Sequence, residues 1–197
     1  MRKEIRIAGF GGQGVMMAAT IIGRAAAIQH GGFATMTESY GPEARGGASS
    51  AQLVLSNEPV LYPYVAEADV LVVLSQEAYS RFAGTLKPGG ILIVEDELVR
   101  IDGSSSRAQV FGVPATRLAE ELGRKIVLNV VMVGFFAAVT GLLRSADYEG
   151  AIADVVPPKV RELNLRAFAK GFEYGRALLE GKVSPAAEEV AAAELSL

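Results

Sequence analysis

The chain has no cysteine. This excludes disulfides, thiol nucleophiles, thiolate zinc sites and any cysteine-held iron–sulfur cluster within it. Its one histidine, His30, rules out a multi-histidine metal site. Cationic charge is not in excess. Against 19 Lys and Arg stand 22 Asp and Glu, for a net charge of −3, so the clustered positive surface of a duplex-binding protein is missing and no nucleic-acid partner is expected. Long apolar runs are also scarce. The only one is Ile126 to Leu143, 18 uncharged residues between Lys125 and Arg144, at the lower edge of the roughly 17–25 residues that span a bilayer. Asn129, Gly134, Thr140 and Gly141 interrupt it and no aromatic belt marks its ends. A buried soluble helix is therefore expected, with no membrane partner. Met1 to Ile7 is charged and alternates like a strand, with no apolar core behind it, so no signal peptide is expected and the location is read as cytoplasmic.

Half of the 197 residues are apolar and 21% are charged, the balance of a globular domain with a sizeable core. Residues 1–182 are read as one domain. Residues 183–197, rich in Ala and Glu after Pro185, are read as a C-terminal tail.

Short apolar runs alternate with helical spacing. Strands are expected around Ile5–Ala8, Phe33–Thr37, Ala48–Leu55, Val70–Leu74, Ile91–Val94 and Val110–Val113. Helices are expected over Val15–Gln29, Gln76–Ala83, Pro114–Leu122, Val127–Leu143 and from Pro157-Pro158 to about Leu179. Lys87-Pro88-Gly89-Gly90 and Asp102 to Ser106 read as turns. This order predicts a three-layer α/β/α Rossmann-like domain. The second and third strands are too close in sequence for a helical crossover, so one strand runs antiparallel and the sheet is mixed but mostly parallel.

Two loops carry the functional signal. Gly9-Phe10-Gly11-Gly12-Gln13-Gly14 matches G-x-G-x-x-G between a strand and a helix. Its amides and the helix dipole suit a pyrophosphate, a carboxylate or a partner's acidic side chain. The plainer reading is a tight turn packed on the sheet. Glu38, 24 residues past Gly14, stands near the place of a ribose-binding acid, about 20 residues on, but the chain beyond it departs from the dinucleotide pattern. The second loop is Ser39-Tyr40-Gly41-Pro42-Glu43-Ala44-Arg45-Gly46-Gly47. Parallel strands bring both loops to one sheet edge. Arg45 suits bidentate binding of a carboxylate or phosphate, or an internal salt bridge to Glu43 or Glu38. Tyr40 is either part of a recognition surface or a half-buried core aromatic.

GFGGQG and SYGPEARGG, in this order and spacing, resemble the gamma subunit of the 2-oxoacid:ferredoxin oxidoreductases and the corresponding internal domain of the single-chain pyruvate enzymes. The resemblance continues through LNVVMVG, opened near Asn129, and KVRELNLRAFAKGFEYG. It stops before the tail after Gly181. It implies a complex that decarboxylates a 2-oxoacid on thiamine diphosphate with magnesium, passes electrons through iron–sulfur clusters to ferredoxin, and gives the acyl group to coenzyme A. The family's thiamine diphosphate motif, Gly-Asp-Gly followed by paired asparagines, is not found, and Asp69, Asp96, Asp102, Asp147 and Asp154 are scattered. The resemblance thus implies a non-redox subunit. Its expected partners are thiamine diphosphate-binding alpha and beta subunits and a ferredoxin-like delta subunit, and 2-oxoglutarate is the expected substrate. Within such a complex the two anion-friendly rims, Gly9, Gly11, Gly12, Gln13, Gly14, Ser39, Tyr40, Gly41, Arg45, Gly46 and Gly47, either form a floor for coenzyme A or brace the catalytic subunits, with no catalytic residue and no metal ligand expected. Alternatives are a stand-alone nucleotide- or coenzyme-binding module and a purely structural scaffold.

Four smaller expectations follow. The apolar run at 126–143 is covered either by the chain's own C-terminal helix or by a partner. An isolated chain self-associates as a homodimer through the surface meant for its partners. His30 sits at a helix C-terminus and interacts with the dipole. Met16, Met17, Met36 and Met132 fill the core.

Overall fold

The computed structural model describes residues 1–41, 47–102 and 107–183. The strands are β1 (Arg2–Phe10), β2 (Phe33–Tyr40), β3 (Ala48–Ser56), β4 (Ala68–Val73), β5 (Leu86–Glu95) and β6 (Gln109–Val113). The helices are α1 (Val15–Arg24), α2 (Gln76–Phe82), α3 (Ala115–Glu120), α4 (Leu128–Thr140), α5 (Ser145–Val155) and α6 (Pro158–Leu179). The sheet order is β2-β3-β1-β4-β5-β6. β3 runs antiparallel to both β1 and β2, and β1, β4, β5 and β6 are parallel. The expected mixed sheet is present, and β3 is its reversed strand.

Side-chain alternation along the strands makes the two faces. Ile5, Ile7, Leu53, Val70, Val72 and Ile93 join the large core with α1, α3, α4, α5 and α6. Ala8, Leu71, Val73, Leu92 and Val94 pack beneath α2 in a smaller core. The parallel strands are covered on both sides, which is why their sequences read as continuous apolar runs.

Three elements differ from expectation. The first helix does not stay α-helical to Gln29. Ala25–Gln29 widens into a π turn, and His30 N–H bonds the Ala25 carbonyl at 2.9 Å. Lys87 to Gly90 does not separate two elements but bulges inside β5, where the pairing with β4 skips from Leu86 to Ile91. Pro88 has no N–H for the ladder and Gly89 takes φ 77°, so a bulge satisfies both. The run at 126–143 is not one helix to Leu143. A 3-10 turn at Lys125–Val127 leads into α4, which stops at the left-handed Gly141. α5 follows as a separate helix.

Ten consecutive residues of α4, Leu128 to Ala137, are buried. The chain itself supplies the cover, chiefly α6, so the in-chain reading of this apolar run holds. Among the described residues no helix is long and apolar enough to cross a membrane. The tail beyond Val183 lies outside the described residues.

Candidate functional site: the glycine rim and the cavity beneath it

β1 ends at Phe10, and Gly11 to Gly14 turn the chain into α1. Gly12 and Gly14 take φ 94° and 75°, a region that costs a residue with a Cβ about 1–2 kcal/mol. Gln13 locks the turn. Its Oε1 accepts the Phe10 N–H at 2.7 Å and its Nε2 donates to the Leu74 carbonyl at 2.7 Å. Gly9 has a packing role as well, since a Cβ there would meet the Leu74 Cβ at 2.9 Å. For Gly9 and Gln13 the plainer, structural reading is the better one. Above Gly12 the space is open. The first turn of α1 has neither a side-chain cap nor an acidic residue, so its free amides and dipole face the cavity without an internal partner.

The second loop meets the first as expected. Gly11 N–H donates to the Gly47 carbonyl at 2.8 Å, and Gly41 N–H to the Ala48 carbonyl at 2.6 Å. Arg45 and Gly46 lie outside the described residues. Tyr40 is not a core aromatic: it is 65% exposed, and its hydroxyl donates to Glu38 Oε2 at 2.6 Å. That bond holds the Tyr40 phenol above its ordinary range. β2 carries Tyr40 to the rim, and its next pairing partner, Ser49, is on β3.

Under the rim lies a cavity of about 1100 Å³. Gly11, Gly12, Gly14, Met16, Met17, Tyr40, Gly41 and Gly47 form one side. Residues from far along the chain close the other: Arg124, Ile126, Asn129, Lys159, Val160 and Asn164. Asn129 and Asn164 are buried. Asn129 Nδ2 reaches the Gly14 carbonyl at 3.4 Å, and Asn164 Nδ2 donates to the Val160 carbonyl at 2.8 Å. Arg124 and Lys159 are exposed at the edge. Met16 and Met17 were expected in the core, and both line this cavity, Met17 being 37% exposed. Met132 is core, at 1%.

Other candidates are placed elsewhere. His30 Nδ1 lies 3.2 Å from the buried Asp147 Oδ2. Bonds from Arg144 and this His30 contact hold the Asp147 carboxyl below its ordinary range. The pair ties the end of the π turn after α1 to α5, a more specific role than the expected dipole contact. Of the cavity-lining residues, Arg124 and Lys159 carried no sequence signal toward the glycine loops. Asn164 had a weak one, a polar residue on the apolar stripe formed by Val160, Leu163, Ala167 and Phe168.

Fold and rim together define a Rossmann-like binding scaffold. An anion-favouring helix start stands over a mostly apolar cavity with two cations at its edge. A sequence model of the pyruvate ferredoxin/flavodoxin oxidoreductase family matches residues 4–174. The chain belongs to this family. It is 45% identical over 180 residues to the 2-oxoglutarate synthase subunit KorC of Methanocaldococcus jannaschii, covering 90% of this chain and 96% of that one. Its fold matches the gamma subunit of a keto/oxoacid ferredoxin oxidoreductase from Geobacter sulfurreducens with a TM-score of 0.81 and 37% identity, covering 90% and 98% of the two chains. A chain of the 2-oxoglutarate:ferredoxin oxidoreductase from Magnetococcus marinus, solved with 2-oxoglutarate, coenzyme A and succinyl-CoA bound, shares the fold. Its TM-score is 0.80 at 24% identity, over 89% of this chain and 31% of that one.

Proposed function

We propose that this chain is the non-redox gamma subunit of a multi-subunit 2-oxoacid:ferredoxin oxidoreductase acting on 2-oxoglutarate, and that its glycine rim forms part of the coenzyme A site. The observation that carries the second half is the 1100 Å³ cavity beneath the uncapped start of α1, a volume at the upper end of the roughly 300–1,000 Å³ usual for ligand sites. Its chemistry suits coenzyme A in two parts. The α1 amides, Arg124 and Lys159 offer positive potential to phosphates. Met16, Met17, Ile126 and Val160, interspersed with the amides of Asn129 and Asn164, match an apolar arm that carries amides. Gly11, Gly12, Gly14, Tyr40, Gly41 and Gly47 belong to this site by position. Arg45 and Gly46 belong to it on the sequence argument, Ser39 instead lines a smaller hollow on the α2 side of the sheet, and Gly9 and Gln13 support it from beneath.

Thiamine diphosphate with magnesium, and the iron–sulfur clusters, do not fit the donors here. The chain has no cysteine, and among the described residues no group of three His, Asp or Glu could hold a metal ion. In this reading those groups sit on alpha, beta and ferredoxin-like delta partners, in the cytoplasm. This chain's residues bind and orient the acyl acceptor.

In the assembled complex, replacing Arg124 and Lys159 together by Gln should raise KM for coenzyme A about tenfold. KM for 2-oxoglutarate should stay unchanged and kcat should change little. An unchanged KM for coenzyme A would remove the site from this cavity.

A further inference from the structure

A second, smaller hollow of about 160 Å³ opens on the α2 side of the sheet. We propose that it binds an oxyanion, a phosphate or a carboxylate, between Arg81 and the hydroxyls of Ser39, Ser50 and Ser75. The site goes beyond the coenzyme A reading and does not depend on it. Tyr40, Gly41, Ala48 and Ser49 stand between the two cavities and line both.

The hollow gathers three serine hydroxyls: Ser39 is exposed at its mouth, Ser50 is nearly buried in its wall, and Ser75 also caps α2. Ser39 in β2 and Ser50 in β3 are direct cross-strand partners, and so share one face of the sheet. Ser75 follows β4. Its Oγ accepts the Ala78 N–H at 3.2 Å, which leaves the hydroxyl proton available to donate. Ser50 is only 9% exposed and Ser75 only 3%. Neither Ser39 nor Ser50 has a side-chain hydrogen bond among the described residues. Of these two only Ser50 is nearly buried, and its hydroxyl, lining the hollow, has no protein partner among the described residues and is left to whatever occupies the hollow.

The charge around the hollow has the same sign problem. Arg81 lines it and forms no ion pair among the described residues. Its guanidinium carbon lies 5.2 Å from the Phe82 ring centroid, and that of Arg6 lies 4.6 Å from the same ring. Arg6 is buried, with its Nε unpartnered and its Nη2 bonded only to the Val65 carbonyl at 2.5 Å. Burial first, and the Arg81 charge second, push the Arg6 guanidinium below its ordinary range. Arg81, without an ion pair among the described residues and on the same wall as the Ser39, Ser50 and Ser75 hydroxyls, offers the complement of an oxyanion, and Arg6, which does not line the hollow, adds a second positive charge on the same Phe82 ring. Glu77 is the one carboxylate on the wall of the hollow among the described residues. It opposes an anion there and so limits affinity.

The test is titration of the full chain, by calorimetry and amide NMR, with inorganic phosphate and separately with acetate. Saturable binding of at least one of them is expected, and which one binds distinguishes a phosphate-bearing from a carboxylate ligand. Arg81→Gln and Ser50→Ala should each weaken it about fivefold or more, while Glu77→Gln should tighten it. Ser50→Ala keeps the fold, because it removes only an unpaired hydroxyl. The Arg124 and Lys159 variants should leave this binding unchanged, which separates its failure from failure of the coenzyme A reading. No saturable binding of either anion, or an affinity indifferent to Arg81 and Ser50, would overturn the proposal.

Discussion

At the scale of single residues, the clearest unresolved charge is Asp96, just after β5. It is 6% exposed and neither carboxyl oxygen has a hydrogen-bond partner. Its neighbour Glu95, fully buried, is better served, accepting the Leu98 and Thr116 N–H groups at 2.9 and 3.0 Å. Burial, followed by the charges of Glu95 and Glu97, pushes the Asp96 carboxyl up to about 6. A carboxyl raised in the folded state favours folding while protonated and opposes it once ionised. The wild type should therefore lose stability as pH rises from about 4 through 6, relative to Asp96→Asn, by about 3 kcal/mol at pH 8. Urea midpoints of the two proteins across that range measure it, and parallel curves would contradict it. The same scale shows what local sequence conveyed about the site. Gly12, Gly14, Tyr40, Gly41 and Gly47 reach the rim because neighbouring backbone places them. Gln13 faces inward to Leu74, a choice its motif position does not encode. Arg124 and Lys159 come to the same cavity only through the packing of α4 and α6, so no local pattern could announce them.

At the scale of elements, the decisive contact is between α4 and α6. A methyl group at Gly134 would run into the Phe168 carbonyl, and one at Gly171 into the Val131 carbonyl. At Gly175 it would lie 2.7 Å from the Ala138 Cβ. The helices thus touch backbone to backbone, with Gly171 and Gly175 one turn apart on one face. Two effects of Gly→Ala then oppose each other. Helix propensity favours Ala by about 1 kcal/mol, and the lost approach costs more. Gly134→Ala and Gly171→Ala should each destabilise by about 3 kcal/mol or more. Gly84→Ala, where a Cβ meets nothing within 4 Å, should stay within about 1 kcal/mol of wild type. Thermal and urea unfolding of the three variants decide between the effects, and a stabilised Gly171→Ala would show that propensity wins. The strands were readable because their apolar runs are short, continuous and bounded by turn residues. Separating α4 from α5 was harder. α4's end depends on Gly141 turning left-handed, and α5's start depends on Asp147, whose Oδ2 accepts the Arg144 N–H at 3.2 Å while its own N–H donates to the Arg144 backbone carbonyl at 3.0 Å. Arg is not a residue type that announces a helix start.

At the scale of the whole molecule, the sheet is asymmetric. Five helices and the large core lie on one face, and α2 with its small core on the other. The cavity proposed for coenzyme A belongs to the helix-rich side and the serine-lined hollow to the α2 side, with Tyr40, Gly41, Ala48 and Ser49 as their common wall. The absence of cysteine excludes a cysteine-held cluster, and so cluster-borne electron transfer, from this chain. The mixed sheet was legible from the short link between β2 and β3. That the end of β2 and the start of β3 would form a wall between two cavities was not, because it depends on which face each helix covers. The most direct test of the account measures 2-oxoglutarate-dependent reduction of a one-electron acceptor, with coenzyme A present, by the purified chain alone and by the chain assembled with its partner subunits. The account predicts no turnover from the chain alone, and acyl-coenzyme A formation by the assembly that is lost when this chain is omitted. Keto acid turnover by the chain on its own, or an assembly whose acyl transfer is indifferent to its removal, would contradict it.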